Sequence, residues 1–332
     1  MKNGTGDAWH LPFFSKRLEK FIKIWYDQKK IQGEITMELQ KDTGDHFSWV
    51  MPEGGGETEV FQVFPGIYLM YNDFHVHQCR SGLAAPSHFW GVDHCRRGRT
   101  EWELPGGHRA YLGEGALITS DFQRSGGDFS FPMGLYEGLT VCLDEDRAPE
   151  GLPPELKLSL NDLREKLFSA GIMDLSGDPE AEAILTLLYL ARGQGELQRK
   201  MGLTLFLSYL NALEPRQLEP LYLRQEQVEE MGKIQAFLLE NPHHRWTLAE
   251  LSEKFQVPVS VLRRNFMGIY GLSVADYMRK IRAEYAGEML KNSDQSVGEI
   301  AASLGYDNAS KFSAAFRRCL GQSPRSYRSR NK

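Results

Sequence analysis

A unit of about fifty residues occurs twice near the C-terminus, and a duplicated unit constrains a fold more tightly than any single motif. Residues 270–277 read Tyr-Gly-Leu-Ser-Val-Ala-Asp-Tyr, and residues 320–327 read Leu-Gly-Gln-Ser-Pro-Arg-Ser-Tyr. Gly271 matches Gly321, Ser273 matches Ser323 and Tyr277 matches Tyr327. The same offset of fifty relates Leu262 to Phe312 and Phe266 to Phe316. Upstream, Leu248, Leu251 and Phe255 match Val297, Ile300 and Leu304 at an offset of forty-nine. The change of offset falls between the two halves of each copy, where a turn tolerates an insertion.

Each copy reads as two short helices. In the first, Leu248, Ala249, Leu251, Ser252 and Phe255 recur at helical spacing. Thr247 precedes them as an N-cap, with Glu250 three residues on as a capping box. Gln256-Val257-Pro258 ends that helix, because proline disfavours helical geometry in the residue before it. The next helix carries Leu262, Phe266 and Ile269 on one face and Val261, Arg263, Arg264 and Met267 on the other. In the second copy, Val297, Ile300, Ala301 and Leu304 lead to a Gly305-Tyr306-Asp307 turn. A helix follows with Phe312, Phe316 and Leu320 inward and Ala309, Ser310, Lys311, Ser313, Ala314, Arg317 and Arg318 outward. Two helices joined by a short turn, the second polar and basic on its free face, form a helix-turn-helix pattern. Between the copies, Val274, Tyr277, Met278, Ile281, Tyr285 and Leu290 predict one helix over 273–291. Its length of about 28 Å suits two recognition helices entering successive major grooves.

The run from Gly298 to Asn308, then Phe312, Phe316 and Gly321-Gln322-Ser323-Pro324-Arg325-Ser326-Tyr327-Arg328, resembles the signature of AraC/XylS-type transcriptional regulators. The resemblance covers about residues 226–330. It implies an all-α DNA-binding domain with two helix-turn-helix units joined by a linker helix. It places Ser260, Val261, Arg263, Arg264 and Met267 toward DNA in the first unit. In the second it places Asn308, Ala309, Ser310, Lys311, Ser313 and Ala314 there, with Arg317 and Arg318 beside them. The second helix offers Ala and Ser where other members offer longer donors. Direct readout is therefore expected chiefly from Arg263 and Arg264, which reach guanine O6 and N7.

Charge follows the same division. Residues 226–332 hold 16 Lys and Arg against 12 Asp and Glu, a net of +4, and residues 259–332 hold 13 against 6. The whole chain holds 39 against 44, a net of −5, which leaves −9 on residues 1–225. A basic end on an acidic body is the electrostatic footprint of a nucleic-acid module. The 332 residues suffice for two or three domains. Cys79, Cys95, Cys142 and Cys319 form no CxxC pair, which speaks against a disulfide framework or zinc ribbon. With no membrane-spanning apolar run and no signal-type leader, a cytoplasmic location without a membrane partner is expected.

The N-terminal half reads differently. Val60–Phe64, Ile67–Tyr71, Phe89–Val92, Thr100–Leu104, Ala116–Ile118 and Leu139–Leu143 are strand-like runs between glycine-bearing turns, as in a β-sandwich or barrel. The family resemblance implies a cupin-like β-barrel that senses a small-molecule effector. Tyr68, Tyr71, His75, His77, Trp90 and Trp102 are the candidate effector-binding residues. His75 and His77 lie two apart, hence on one face if the strand continues through them. No Glu follows within ten residues to complete a cupin metal set, so no metal or cofactor is assigned and the histidines are left as pocket lining or packing. Residues 13–30 form a basic amphipathic stretch that fits either a membrane surface or a helix packed on its own barrel. Residues 41–57 are expected to be a flexible connection.

Leu156–Phe168, Pro179–Ala191 and Glu196–Leu213 read as three helices, two of them apolar over much of their surface. They serve either self-association or packing under the barrel. The expected division is 1–57 N-terminal helix and linker, 58–150 effector-sensing barrel, 151–214 helical coupling or dimerisation region, 215–225 linker, and 226–332 DNA-binding domain. The function expected is a sequence-specific DNA-binding transcriptional regulator responding to a small-molecule effector. Its expected partners are double-stranded DNA, a second copy of the chain and, for an activator, RNA polymerase. The alternative is a metal-dependent cupin-type enzyme, or a DNA-repair protein, fused to a DNA-binding domain.

Overall fold

The computed structural model describes residues 38–42, 46–51, 55–80, 88–104, 108–121, 128–156, 158–214 and 222–331. The amphipathic stretch 13–30 and most of the 215–225 linker lie outside the described residues, as does the side chain of Trp102. The described residues fall into two compact units, one within 1–103 and 111–220, the other within 104–110 and 221–332.

The first unit is an antiparallel sheet faced by helices. Its strands are β1 (Glu38–Asp42), β2 (His46–Val50), β3 (Gly56–Phe64), β4 (Ile67–Phe74), β5 (Gln78–Arg80), β6 (Phe89–Leu104), β7 (His108–Gly113), β8 (Ala116–Asp121), β9 (Asp128–Ser130), β10 (Tyr136–Asp144) and β11 (Ile172–Asp174), with the end of β6 and the start of β7 counted to the second unit. The order β1-β2-β3-β4-β10-β6 continues into β8 and β11. This path does not return to β1, so among the described residues the sheet is open and the expected closed barrel is not formed. Residues 46–50, expected in a flexible connection, instead form β2 and pair with β3 from His46 opposite Phe61 to Val50 opposite Glu57.

Three helices cover one face of the sheet: α1 (Leu160–Ala170), α2 (Pro179–Leu190) and α3 (Glu196–Ala212). Strand alternation turns Ile67, Leu69 and Tyr71 of β4 and Leu139, Val141 and Leu143 of β10 toward Leu163, Leu167, Leu185, Leu188, Leu203, Phe206, Leu207 and Leu210 in one core. Burial of each large apolar side chain stabilises by about 1.5–3 kcal/mol, which explains why α2 and α3 are so apolar. The expected packing role is met by their inward residues, while Leu187, Leu190, Leu197, Met201 and Leu205 remain exposed. Two hydroxyls fix the helices to the sheet: Tyr71 Oη donates to Leu188 O at 2.7 Å, and Tyr189 Oη lies 3.1 Å from His94 Nδ1.

The second unit is helical: α4 (Gln225–Glu240), α5 (Leu248–Phe255), α6 (Val259–Tyr270), α7 (Val274–Asn292), α8 (Val297–Ser303), α9 (Ala309–Leu320) and α10 (Pro324–Asn331). The internal echo of the sequence is reproduced in three dimensions. Thr247 and Glu250 close a capping box on α5, and Ser296 and Glu299 close the same box on α8. Gly271 and Gly321 end α6 and α9 in the left-handed region, at φ 70° and 73°. Ser273 Oγ then accepts from Asp276 N and Ser323 Oγ from Ser326 N, opening the following helices.

Candidate nucleic-acid interface

The site is built on α6 and α9, whose inward residues hold their outward faces in place. Leu262, Phe266 and Ile269 anchor α6 and Phe312 and Phe316 anchor α9, all of them buried. Helical spacing then leaves Ser260, Arg263, Arg264 and Met267 exposed on α6, with Val261 half-buried at the edge. On α9 it leaves Ala309, Ser310, Lys311, Ala314, Arg317 and Arg318 exposed and Ser313 half-buried. Asn308 is exposed, but its side-chain oxygen is the N-cap of α9 and accepts from Lys311 N at 2.8 Å. The residues that the sequence placed toward DNA therefore gather on two outward helix faces.

The arginines on these faces make no direct ion pair, although Arg318 lies near enough to Asp276 to help hold its carboxyl down. None of the ion pairs among the described residues involves Arg263, Arg264, Arg317 or Arg318. Some cations elsewhere in the unit are paired: Arg279 with Asp276, Lys291 with Glu288, Arg245 with Asp307. Lys311 lies between the two cases, 3.8 Å from Asp307 on an exposed edge. Guanidinium groups left without a carboxylate are the ones available to phosphate or to base edges.

Two residues fix how the helix pairs are placed, of which the sequence reading had only Gly305, as a turn residue. Arg282, mostly buried on α7, donates Nε to Pro242 O at 2.5 Å and Nη2 to His244 O at 2.8 Å. This forked pair holds the loop before α5 against α7, as only a planar guanidinium does. Gly305, in the turn before α9, sits so close to that loop that a Cβ would lie 2.1 Å from His243 O. The periodicity of α7 signals only a polar residue at 282; nothing local announces its two carbonyl partners.

A helix-turn-helix domain model matches residues 251–330. The HTH-type transcriptional activator RhaR of Yersinia pseudotuberculosis is 31% identical over 102 residues, 31% of this chain and 35% of that protein. The HTH-type transcriptional regulator ExsA of Pseudomonas aeruginosa is 29% identical over 102 residues, covering 31% and 37%. This C-terminal part is an AraC-family helix-turn-helix domain. The chain spans about a third of the length of the curated relatives that it matches. Among solved structures, the C-terminal domain of AraT, a response regulator from Geobacillus stearothermophilus, is 29% identical, with a TM-score of 0.30 and coverage of 30% of this chain and 84% of that one.

Outside the AraC-type domain, the residues proposed for an effector do not converge. Tyr68 and Tyr71 are both buried, but three positions apart on β4 they face opposite sides of the sheet. Tyr71 and Trp90 belong to the core under the helices, where Trp90 lies 6.2 Å from the ring of Phe168. β4 ends at Phe74, so His75 and His77 lie beyond the strand, both exposed, with His75 Nε2 3.0 Å from Asp73. The expected shared face fails because the alternation stops with the strand. The opposite side of the sheet carries a polar chain instead. Thr58 Oγ1 donates to Asn72 Oδ1, Asn72 Nδ2 to Thr140 Oγ1, and Thr140 and Ser120 hydroxyls to the two oxygens of buried Asp93.

Proposed function

We propose that this chain is a sequence-specific, DNA-binding transcriptional regulator whose two helix pairs, α5–α6 and α8–α9, are both helix-turn-helix units. The observation that carries the reading is the set of exposed arginines without carboxylate partners on α6 and α9, inside an AraC-family domain. The repeated caps and turns support equivalence of the two units. α6 is the main reader, through Arg263 and Arg264, while the short side chains of Ala309, Ser310 and Ser313 leave α9 chiefly to phosphate contacts from Lys311, Arg317 and Arg318. Selection of binding sites from a random duplex library tests this. Wild type is expected to return one motif, and Arg263→Ala or Arg264→Ala a motif degenerate at specific positions. Selection without enrichment for the wild type would refute it.

The N-terminal unit is proposed to bind a small-molecule effector and to pair with a second copy of the chain. A cavity of about 440 Å³ between the 173–179 segment and the end of α3 supports the first part. Among the described residues its lining includes Asp174, Asp178 and Glu214 beside Leu175, Tyr209 and Leu213, and no Lys, Arg or His. That chemistry suits a neutral or cationic compound. The exposed row Leu197, Met201 and Leu205, four residues apart on α3, with Leu187 and Leu190 also exposed on α2, supports the second. An effector shifts DNA binding only if it favours one arrangement of the protein over another.

A further inference from the structure

A cluster at the end of the β6–β10 ladder takes no part in the reading above. Asp144, the last residue of β10, is the ladder partner of Phe89, the first residue of β6. One step further, Glu145 N donates to His88 O at 2.8 Å, so the backbone holds His88 beside Asp144. The chain then turns back: Arg147 N donates to Asp144 O, and Asp146 N to Asp144 Oδ1, both at 3.1 Å. The ring of His88 is packed on Phe89 with centroids 4.8 Å apart. As a result His88, Asp144 and Asp146 each offer a ligand atom, all within 4.8 Å of one another.

His88 and Asp144 face each other without a hydrogen bond between them. His88 Nε2 and Asp144 Oδ1 are 3.9 Å apart, too far for a hydrogen bond. Donors about 2.1 Å from a divalent ion stand at most about 4.2 Å apart, so the three side chains, within 4.8 Å of one another, would draw in slightly to hold one. The side chain of Asp144 is only 5% exposed, and a buried carboxylate has to be compensated. Asp93 receives two hydroxyl donors, whereas the hydrogen bond recorded for Asp144 is the single N–H of Asp146, with Arg147 the one guanidinium acting on it.

The geometry points to a divalent transition-metal site formed by His88, Asp144 and Asp146. Two carboxylates and a neutral imidazole balance the ion's charge. The imidazole favours Zn²⁺, Mn²⁺, Fe²⁺ or Ni²⁺ over Mg²⁺ and Ca²⁺, and the missing thiolate disfavours Cu⁺. Cys142, two residues before Asp144, does not belong to this group. A bound ion would tie the start of β6 to the turn that leads toward α1.

Full-length protein stripped with chelator and titrated with Zn²⁺ and with Mn²⁺ by calorimetry tests the site without any DNA. At least one of the two ions is expected to bind once per chain and to raise the thermal midpoint of the N-terminal unit. Asp146→Asn, on an exposed residue that does not threaten folding, should weaken binding at least tenfold and abolish the midpoint shift. His88→Gln should do the same. Absence of binding below millimolar concentrations for both ions overturns the proposal. So does binding that both variants leave unchanged, because the ion would then sit elsewhere.

Discussion

Phe316 and Tyr327 meet edge to face, ring centroids 5.4 Å apart and planes at 85°, and Phe266 and Tyr277 repeat that contact fifty residues earlier at 5.3 Å and 87°. In each case the second helix of a pair is pinned to the helix that follows it. Such pairs contribute about 0.5–1.5 kcal/mol beyond area burial. Phe266→Ala and Phe316→Ala are each expected to cost about 3–5 kcal/mol. Double-mutant cycles with Tyr277→Leu and Tyr327→Leu, read by chemical denaturation, should give the same coupling in both units. A coupling present in one and absent in the other would mean that the repeat is not energetically equivalent.

The two turns before α6 and α9 make an opposed pair. Gln256 and Gly305 each follow the last core residue of the preceding helix, and both are left-handed, at φ 57° and 76°. A non-glycine residue in that region costs about 1–2 kcal/mol. Gln256→Gly gives up an exposed hydrogen bond to Glu253 O but removes the strain, so a gain of up to about 1 kcal/mol is expected. Gly305→Ala adds the strain and drives Cβ to 2.1 Å from His243 O, so a loss of about 3 kcal/mol or more is expected. Equilibrium denaturation checks both signs.

Buried Asp93 and His94 oppose each other across mild acid. Burial pushes the Asp93 carboxyl up to about 6, although Ser120 and Thr140 donate to it. The folded state thus holds a proton that the unfolded state releases, and stability falls as pH rises from about 4 to 6. Burial, aided by Arg96, lowers His94 to about 4. There the unfolded state holds the extra proton, so stability falls as pH drops from about 6.5 to 4. The two slopes nearly cancel in the wild type. Asp93→Asn should therefore expose a stability that rises with pH in this window, and His94→Gln one that falls. Denaturation midpoints of the N-terminal unit between pH 4 and 7 read the slopes; parallel curves for the two variants would contradict the assignment.

The apolar row on α3 is expected to hold the proposed dimer. Met201, 58% exposed, and Leu197, 65% exposed, lie one turn apart. Met201→Lys with Leu197→Glu should convert the full chain to a monomer in sedimentation equilibrium without lowering its thermal midpoint. A monomeric wild type would dismiss the pairing.

Legibility in the sequence followed the range of the forces involved. The helix pairs, the Thr247–Glu250 cap and the matching of Gly271 with Gly321 are local, so period and spacing revealed them, while the left-handed φ of both glycines came only with the structure. The outward faces of α6 and α9 followed from the inward positions of Leu262, Phe266, Phe312 and Phe316. The N-terminal unit was less readable, because its organisation depends on long-range pairing. The strand runs were visible, but not that β6 would pair with β10 and β8, or that helices would cover the face that carries Tyr71 and Trp90. The His75–His77 spacing misled because β4 stops at Phe74. His88 and Asp144, fifty-six positions apart, are joined only by strand register.

The central claim is that the exposed arginines of the AraC-type domain bind duplex DNA. Its most direct test is the equilibrium affinity of the full chain for a selected duplex at 50 and 200 mM salt, with and without Arg263→Ala. Four or more phosphate contacts predict a fall of about a hundredfold or more over that range, because each contact releases counterions. Arg263→Ala should weaken binding by about 1–3 kcal/mol at low salt. An affinity indifferent both to salt and to the loss of Arg263 would contradict the account.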